Sequence, residues 1–281
     1  MTIAHFSSRR LMDCTIDLRK QEVLADALAN WVYHDEYVMK LDTTLLIYPV
    51  TKGDQKVTLI LDRHLGPFLS HQATSTLIKA VIERHWLTFQ HMRIAHQFAG
   101  QHHYVPYVFG QYGFVPTAGP TGYQAGWLGF YHITSLQSFE SDALLVFDNH
   151  LKLLLPMSHY FLHSRLVEAA TIGELQKEYQ ASLIEYGGFN KQRPKLENKL
   201  AHTLHCWPEV QLKNPRELYS FGMEAMMTAA IETYLMEGYG DQLGLEVETL
   251  AADIRAFIAA RGADIMPKNR HFPTAKKPAD K

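Results

Sequence analysis

Cysteine is nearly missing from this chain: among 281 residues only Cys14 and Cys206 occur. Two isolated thiols cannot build the disulfide framework that holds small secreted domains together, and they agree with a reducing compartment. An excess of charge of one sign is also lacking, since 27 Lys and Arg stand against 29 Asp and Glu, a net charge of −2. That balance excludes a polybasic tail protein, an acidic disordered chain and a supercharged halophile. A net figure hides local patches, so it argues only weakly against a nucleic-acid partner. No eighteen apolar residues run together, so no membrane span is expected. Met1 to Lys20 interrupts its apolar residues with Arg9, Arg10, Asp13, Asp17 and Arg19, leaving no signal-peptide core. The expectation is a soluble cytoplasmic protein.

Signatures of catalysis are lacking too. No serine sits in a nucleophile elbow, and neither cysteine has a catalytic context. The glycines at 110, 113, 119, 122, 126 and 129 satisfy neither nucleotide-binding fingerprint. The chain is therefore expected to be no enzyme and to need no cofactor. Its 16 histidines require separate treatment. His85, His91, His96, His102 and His103 form one group; His202, His205 and Cys206 form another. No pair has the helical i, i+4 spacing with a Glu base that marks a zinc protease, and no Cys-x-x-Cys occurs. The histidines read as solvated or hydrogen-bonded side chains, and a metal enzyme is the weakest reading of function.

What is present is ordinary globular material, 47% hydrophobic and 20% charged, enough for a sizeable core. Val23, Leu24, Ala27, Leu28 and Trp31 recur at helical steps. Three strand-like runs follow, Glu36 to Leu41, Thr44 to Val50 and Val57 to Leu61, with Lys52-Gly53-Asp54 as a hairpin loop. Thr74 or Ser75 is placed to cap a helix through Arg84 that carries Leu77, Ile78, Val81 and Ile82 on one face.

From Ile94 through Phe139 there is no Asp, Glu, Lys or Arg, and Tyr104 to Ile133 holds nine aromatics and six glycines. Glycine at that density opposes helix, at about 1 kcal/mol per position relative to alanine. Aromatic strands with glycine at turns suit it, with Pro116 to Gly126 as an exposed loop. Ala143 to Phe147 and Leu151 to Leu155 flank Asp148-Asn149-His150 as a second hairpin. After Pro156 the period becomes helical. Ser158 caps one helix, Thr171 with Glu174 forms a capping-box pattern for another ending near Gly187, and helices follow from Asn214 to Gly238 and from Glu246 to Arg261. The fold class expected is α+β: a strand-rich N-terminal region packed with helices, then an α-helical C-terminal extension. The domains read as residues 1–186, a helical extension 187–266 and a disordered basic tail 267–281.

Charge is unevenly laid out. Residues 1–140 are neutral and 141–186 carry −3, whereas 187–216 carry +4 through Lys191, Arg193, Lys195, Lys199, Lys213 and Arg216. Residues 217–264 carry −7, and the tail from Ile265 carries +4. The basic segments suit phosphate contact, or else a solvated face and an intramolecular mate for the acidic helices.

Within the charge-free span, Phe114-Val115-Pro116-Thr117, then Gly126-Trp127-Leu128, then His132-Ile133 together resemble the central signature of the competence transcription factor (ComK) family. That signature is an aromatic run ending in Phe-Pro-Thr, a short loop, a Trp with apolar neighbours and a His followed by Ile or Val. Thr44 to Pro49 is similar to the family's early strand that ends in proline, and Ile82-Glu83-Arg84 to its apolar, acid, Arg triplet. Val146-Phe147-Asp148-Asn149 and Leu155-Pro156-Met157-Ser158 resemble its paired strands and the serine that opens the closing helix. The resemblance covers residues 42–175. It departs at Thr88 to His96, where the family has glycine, paired serines and a further Arg, and at Ala125-Gly126, where the family often has Cys before its Trp.

The resemblance implies a transcriptional activator of DNA-uptake genes that binds AT-rich promoter boxes through the minor groove and bends them. Partners it implies are double-stranded DNA, further copies of the chain, and transcription or proteolysis machinery, with the protein at the nucleoid. Minor-groove width and deformability supply selectivity in such a mode, and a few cations supply attraction. The DNA-contact candidates are Arg84, Gln90, His91, Arg93, Lys191, Arg193 and Lys195. Trp127 and Tyr131 are read as packing residues. A competing reading is an interaction or adaptor module that keeps the fold without DNA binding, with Met223, Met226, Met227, Ile231 and Leu235 lining a partner groove.

Overall fold

The computed structural model describes residues 14–19, 31–85, 87–101, 104–118, 125–186, 198–208 and 210. The expected helices at 21–31, 214–238 and 246–261, the Met223 to Leu235 stripe, the tail and Lys191, Arg193 and Lys195 lie outside these residues, Trp31 excepted. Two compact units divide the chain. One holds residues 1–92, 103–174 and 196–209; the other holds 93–102, 175–195 and 210–281.

The first unit contains two sheets. A six-stranded antiparallel sheet is built from β2 (Thr44–Lys52), β3 (Gln55–Asp62), β4 (Gly66–Ser70), β5 (Tyr107–Phe109), β6 (Tyr112–Pro116) and β7 (Trp127–Gly129), in the order β4-β3-β2-β7-β6-β5. A four-stranded sheet follows the order β1-β10-β9-β8, from β1 (Thr15–Asp17), β8 (Ile133–Phe139), β9 (Asp142–Phe147) and β10 (Lys152–Ser158); only β1 pairs parallel. Mixed α+β architecture is therefore the observed class.

Leu45, Leu46 and Ile47 are all buried, as are Leu59, Ile60 and Leu61, so successive side chains of β2 and β3 are covered on both faces. Gly53 and Asp54 close the β2–β3 hairpin between the paired Lys52 and Gln55, and Gly53 takes a φ of 60°. That left-handed position is the one glycine occupies at no steric cost. β2 runs on past Pro49 to Lys52 rather than ending at the proline. β4, which the sequence reading omits, adds a third strand, and Val32 and His34 bond its outer edge at Leu69.

Helix α1 (Thr74–Glu83) buries Leu77, Ile78 and Val81. Its N-cap is Ala73, without a side-chain bond, so neither Thr74 nor Ser75 caps it. Thr74 is itself buried inside the first turn. Helix α2 (Phe89–Phe98) is a second element absent from the sequence reading. Helix α3 (His159–Tyr186) starts from Ser158, whose Oγ accepts the Phe161 N–H at 3.2 Å, as the sequence indicates. Thr171 does not begin a new helix. Its hydroxyl donates to the Val167 carbonyl at 2.8 Å, a bond to the preceding turn that leaves the helix continuous. Helix α4 (Lys199–Thr203) is capped by Asn198, which also donates to the Ala170 carbonyl at 2.8 Å and ties α4 to α3.

Glu36 to Leu41 forms no strand. Tyr37 leaves the alternation to set its ring against Phe68 and its hydroxyl against Thr44, while the Lys40 and Thr44 backbones turn on each other. In the second unit the described residues are 93–101, 175–186 and 210; Ile94, Ala95 and His96 are buried there, as are Leu175 and Ala181. Among the described residues, no helix is long and apolar enough to cross a membrane.

Candidate functional site

Asp62 at the end of β3 organises the first part of the site. It is buried, and its carboxylate accepts four hydrogen bonds. Oδ1 takes the His64 and Leu65 N–H groups at 2.9 and 3.0 Å; Oδ2 takes the Tyr37 and Thr43 hydroxyls, each at 2.8 Å. Two backbone donors fix the β3–β4 turn and two side-chain donors anchor it to the preceding segment. Burial, and secondly the Asp62 charge, push the Tyr37 phenol above its ordinary pKa, so it stays a donor. The turn carries Arg63 at its corner.

Arg63 meets the hairpin of the other sheet. Its Nη1 donates to Asp148 Oδ2 at 2.7 Å and also lies against His132 Nδ1. His132 is buried; its Nδ1 is 2.8 Å from Asp148 Oδ2 and its Nε2 is 2.5 Å from the Asp42 carbonyl oxygen. A carbonyl only accepts, so Nε2 carries a proton and the ring orientation is fixed. Burial pushes the Asp148 carboxyl up, but bonds from His132 and Arg63 outweigh it and hold the carboxyl below its ordinary value. The cluster thereby ties the β3–β4 turn of one sheet to the β9–β10 turn of the other. Tyr131 beside it sets its ring against that of Tyr112, centroids 4.2 Å apart and planes tilted by 38°, and lies under the Lys199 ammonium at 4.4 Å. The Tyr131 phenol is raised, first by its bond with Tyr112 and then by burial.

The signature residues form the base of the β6–β7 hairpin. Thr117 N–H donates to the Gly126 carbonyl at 2.8 Å. A Cβ on Gly126 would stand 2.7 Å from both Thr117 Oγ1 and Tyr48 Cδ2, so only glycine fits there. Pro116, Thr117 and Gly126 are buried, which corrects the expectation of exposure at the two ends of this loop; residues 119–124 lie outside the described residues. Trp127 is half-buried, with Phe89 edge-on at 6.5 Å, and Tyr131 is half-buried as well.

Of the sequence candidates, Arg84 follows α1 as its C-cap and is exposed, its guanidinium without a partner among the described residues. Gln90, His91 and Arg93 lie on α2; Gln90 and His91 are half-buried and Arg93 is exposed. His91 has a structural task. Its Nδ1 accepts the Thr88 N–H at 3.1 Å and meets Thr88 Oγ1 at 2.7 Å, while the His91 N–H points back to that hydroxyl at 3.5 Å. This is a capping box with histidine where Glu or Gln is usual, and it leaves Nε2 as the nitrogen available for outside contact. Gln90 and Arg93, three residues apart, share a helix face.

Ion pairs and ring contacts hold several described cations. Arg19 pairs with Asp17, Glu140 and Asp142; Lys79 pairs with Glu83. Arg165 is buried, pairs with Glu168 at 2.8 Å and lies over the rings of Tyr104 and Phe161. Sequence reasoning names His132 and Asp148 only as parts of motifs and omits Arg63 and Asp62 altogether. The available signal is Asp62 before Arg63 and Gly66 between two apolar runs, the pattern of a turn that bonds its own backbone.

The family model for the ComK protein matches residues 34–179, just over half of the chain. The matched span takes in β2 through β10, α1, α2 and most of α3, and so contains the whole Arg63–His132–Asp148 cluster and the β6–β7 hairpin. No curated protein and no solved structure matches the chain. With the signature residues joined in one hairpin and in one polar cluster around the buried His132, the chain belongs to the ComK protein family.

Proposed function

We propose that this protein is a DNA-binding transcriptional activator of competence genes that recognises AT-rich promoter boxes and works in the cytoplasm at the nucleoid. Family membership is the observation that carries the reading. Attraction to phosphate comes from Arg84 and from the α2 face bearing Gln90 and Arg93, with the Nε2 side of His91 beside it. Lys191, Arg193 and Lys195, at the start of the 187–266 extension, and the basic tail add to it. Nearly neutral composition suits recognition by groove width and bending, where local cations rather than total charge hold the duplex. The reading includes no catalytic step.

Arg84→Ala combined with Arg93→Ala tests it. Both side chains are exposed, and circular dichroism and melting of the double variant are compared with those of the natural chain before binding is measured. The variant's affinity for an AT-rich duplex falls about tenfold at low salt, because each lost phosphate contact forgoes counterion release. Unchanged affinity removes both arginines from the interface.

A further inference from the structure

His71, His85, His91 and His132 are each held through a ring nitrogen: on Asp35, on the Val81 carbonyl, on Thr88, and on Asp148 with the Asp42 carbonyl. Two histidines at the start of α3 differ. Among the described residues, no hydrogen bond or ion pair reaches the ring of His159 or of His163. They stand four residues apart on one helix, a spacing that sets both side chains on the same face. Their rings lie nearly parallel, with planes 24° apart and centres 5.9 Å apart. Both residues are half-buried.

That pairing fits a shared metal ion. A metal–nitrogen distance of about 2.1 Å puts each ring centre about 3.2 Å from the ion, so two imidazoles at an angle of about 90–110° on it have centres about 4.5–5.2 Å apart. Side-chain rotation covers the remaining distance of about 1 Å and leaves the backbone of α3 unchanged. The Ser158 cap already fixes the turn that carries both rings. Burial, and secondly the His159 charge, push the His163 imidazole below its ordinary pKa, which favours the neutral form that ligates metal. Two terms limit the hold. The positive end of α3 works against a cation, and among the described residues no third ligand joins the pair, so water completes the coordination.

We infer that His159 and His163 form a two-imidazole chelate for a divalent transition-metal ion across the first turn of α3. Imidazole nitrogen suits Cu²⁺, Ni²⁺ and Zn²⁺, whereas Mg²⁺ and Ca²⁺ take oxygen ligands and pass the site by. The two rings come within reach of one ion only when residues 159–163 are helical, so the ion and the start of α3 stabilise each other. The inference rests on this helix face, does not depend on DNA binding and is tested without DNA.

Calorimetric titration of Ni²⁺ into the full, untagged chain is the test, since this ion does not oxidise the thiols of Cys14 and Cys206. One ion per chain is expected in the tightest class, and no binding with Mg²⁺ in its place. His159→Ala and His163→Ala each weaken that class at least about tenfold, because changes one shell further from a metal already cost about 10–100-fold. The double variant loses little more than either single one, the mark of a chelate; independent histidines would lose in sum. Should His163→Ala not fold, His159→Ala, at the first residue of the helix, decides the matter. No Ni²⁺ binding up to millimolar ion, single losses that simply add, or a tightest class that survives both substitutions and so belongs to other histidines overturns the inference.

Discussion

Asp62→Ala is expected to lower stability by about 3–4 kcal/mol, the largest loss from any single polar side chain described above, since hydrogen bonds to a charged group contribute about 1.5–3 kcal/mol and their orphaned donors add desolvation cost. Four donors lose their acceptor at once: the His64 and Leu65 N–H groups and the Tyr37 and Thr43 hydroxyls. Tyr37 keeps Thr44 as an alternative partner at 2.6 Å, which limits the loss on that side. Its effect spreads because the turn aims Arg63 at Asp148 and His132. Urea unfolding measures the first effect, and proteolysis between Arg63 and Gly66 the second. A variant within about 1 kcal/mol of the natural chain would contradict this account of the turn, because that is the ordinary worth of one hydrogen bond.

Gly129→Ala is expected to cost at least about 4 kcal/mol, the range reserved for a few named mechanisms of which backbone collision is one. A Cβ there would stand 2.3 Å from the Thr44 carbonyl oxygen and 3.2 Å from Phe114 Cε1. Thr44 belongs to β2, so relief requires β7 to part from its neighbour rather than a side chain to move. The pairs Leu46 with Leu128 and Ile47 with Trp127 are the contacts at risk. Little folded protein at 37 °C, seen as lost near-ultraviolet dichroism, is the outcome anticipated. Full retention of the melting transition would show that the strands tolerate more separation than their spacing permits.

Legibility in the sequence followed the range of the interaction. Gly53 between two apolar runs, the Asp148-Asn149-His150 turn and Ser158 before a helical period act through neighbours, and the hairpins and the start of α3 were readable from them. The Glu36 to Leu41 alternation misled because Tyr37 answers to Thr44, Asp62 and Phe68, distant partners that no local period contains. Thr171 with Glu174 copied a helix start, yet an internal threonine can satisfy its hydroxyl on the turn before it. α2 escaped because its capping partner is His91, a residue type outside the usual box. Of the site, the family motif exposed the hairpin and His132, while Arg63 and Asp62 gained meaning only once the β3–β4 turn met the β9–β10 turn.

The most direct test of the proposed function is titration of the full chain against an AT-rich duplex, followed by mobility shift as salt is raised from about 50 to 200 mM, where each neutralised phosphate contributes a slope of about −0.9 in log affinity against log salt. The account predicts a shift at the lower salt that weakens steeply as salt rises, with a slope reduced by about two in the Arg84→Ala, Arg93→Ala variant. No salt-sensitive shift with any AT-rich duplex would contradict it.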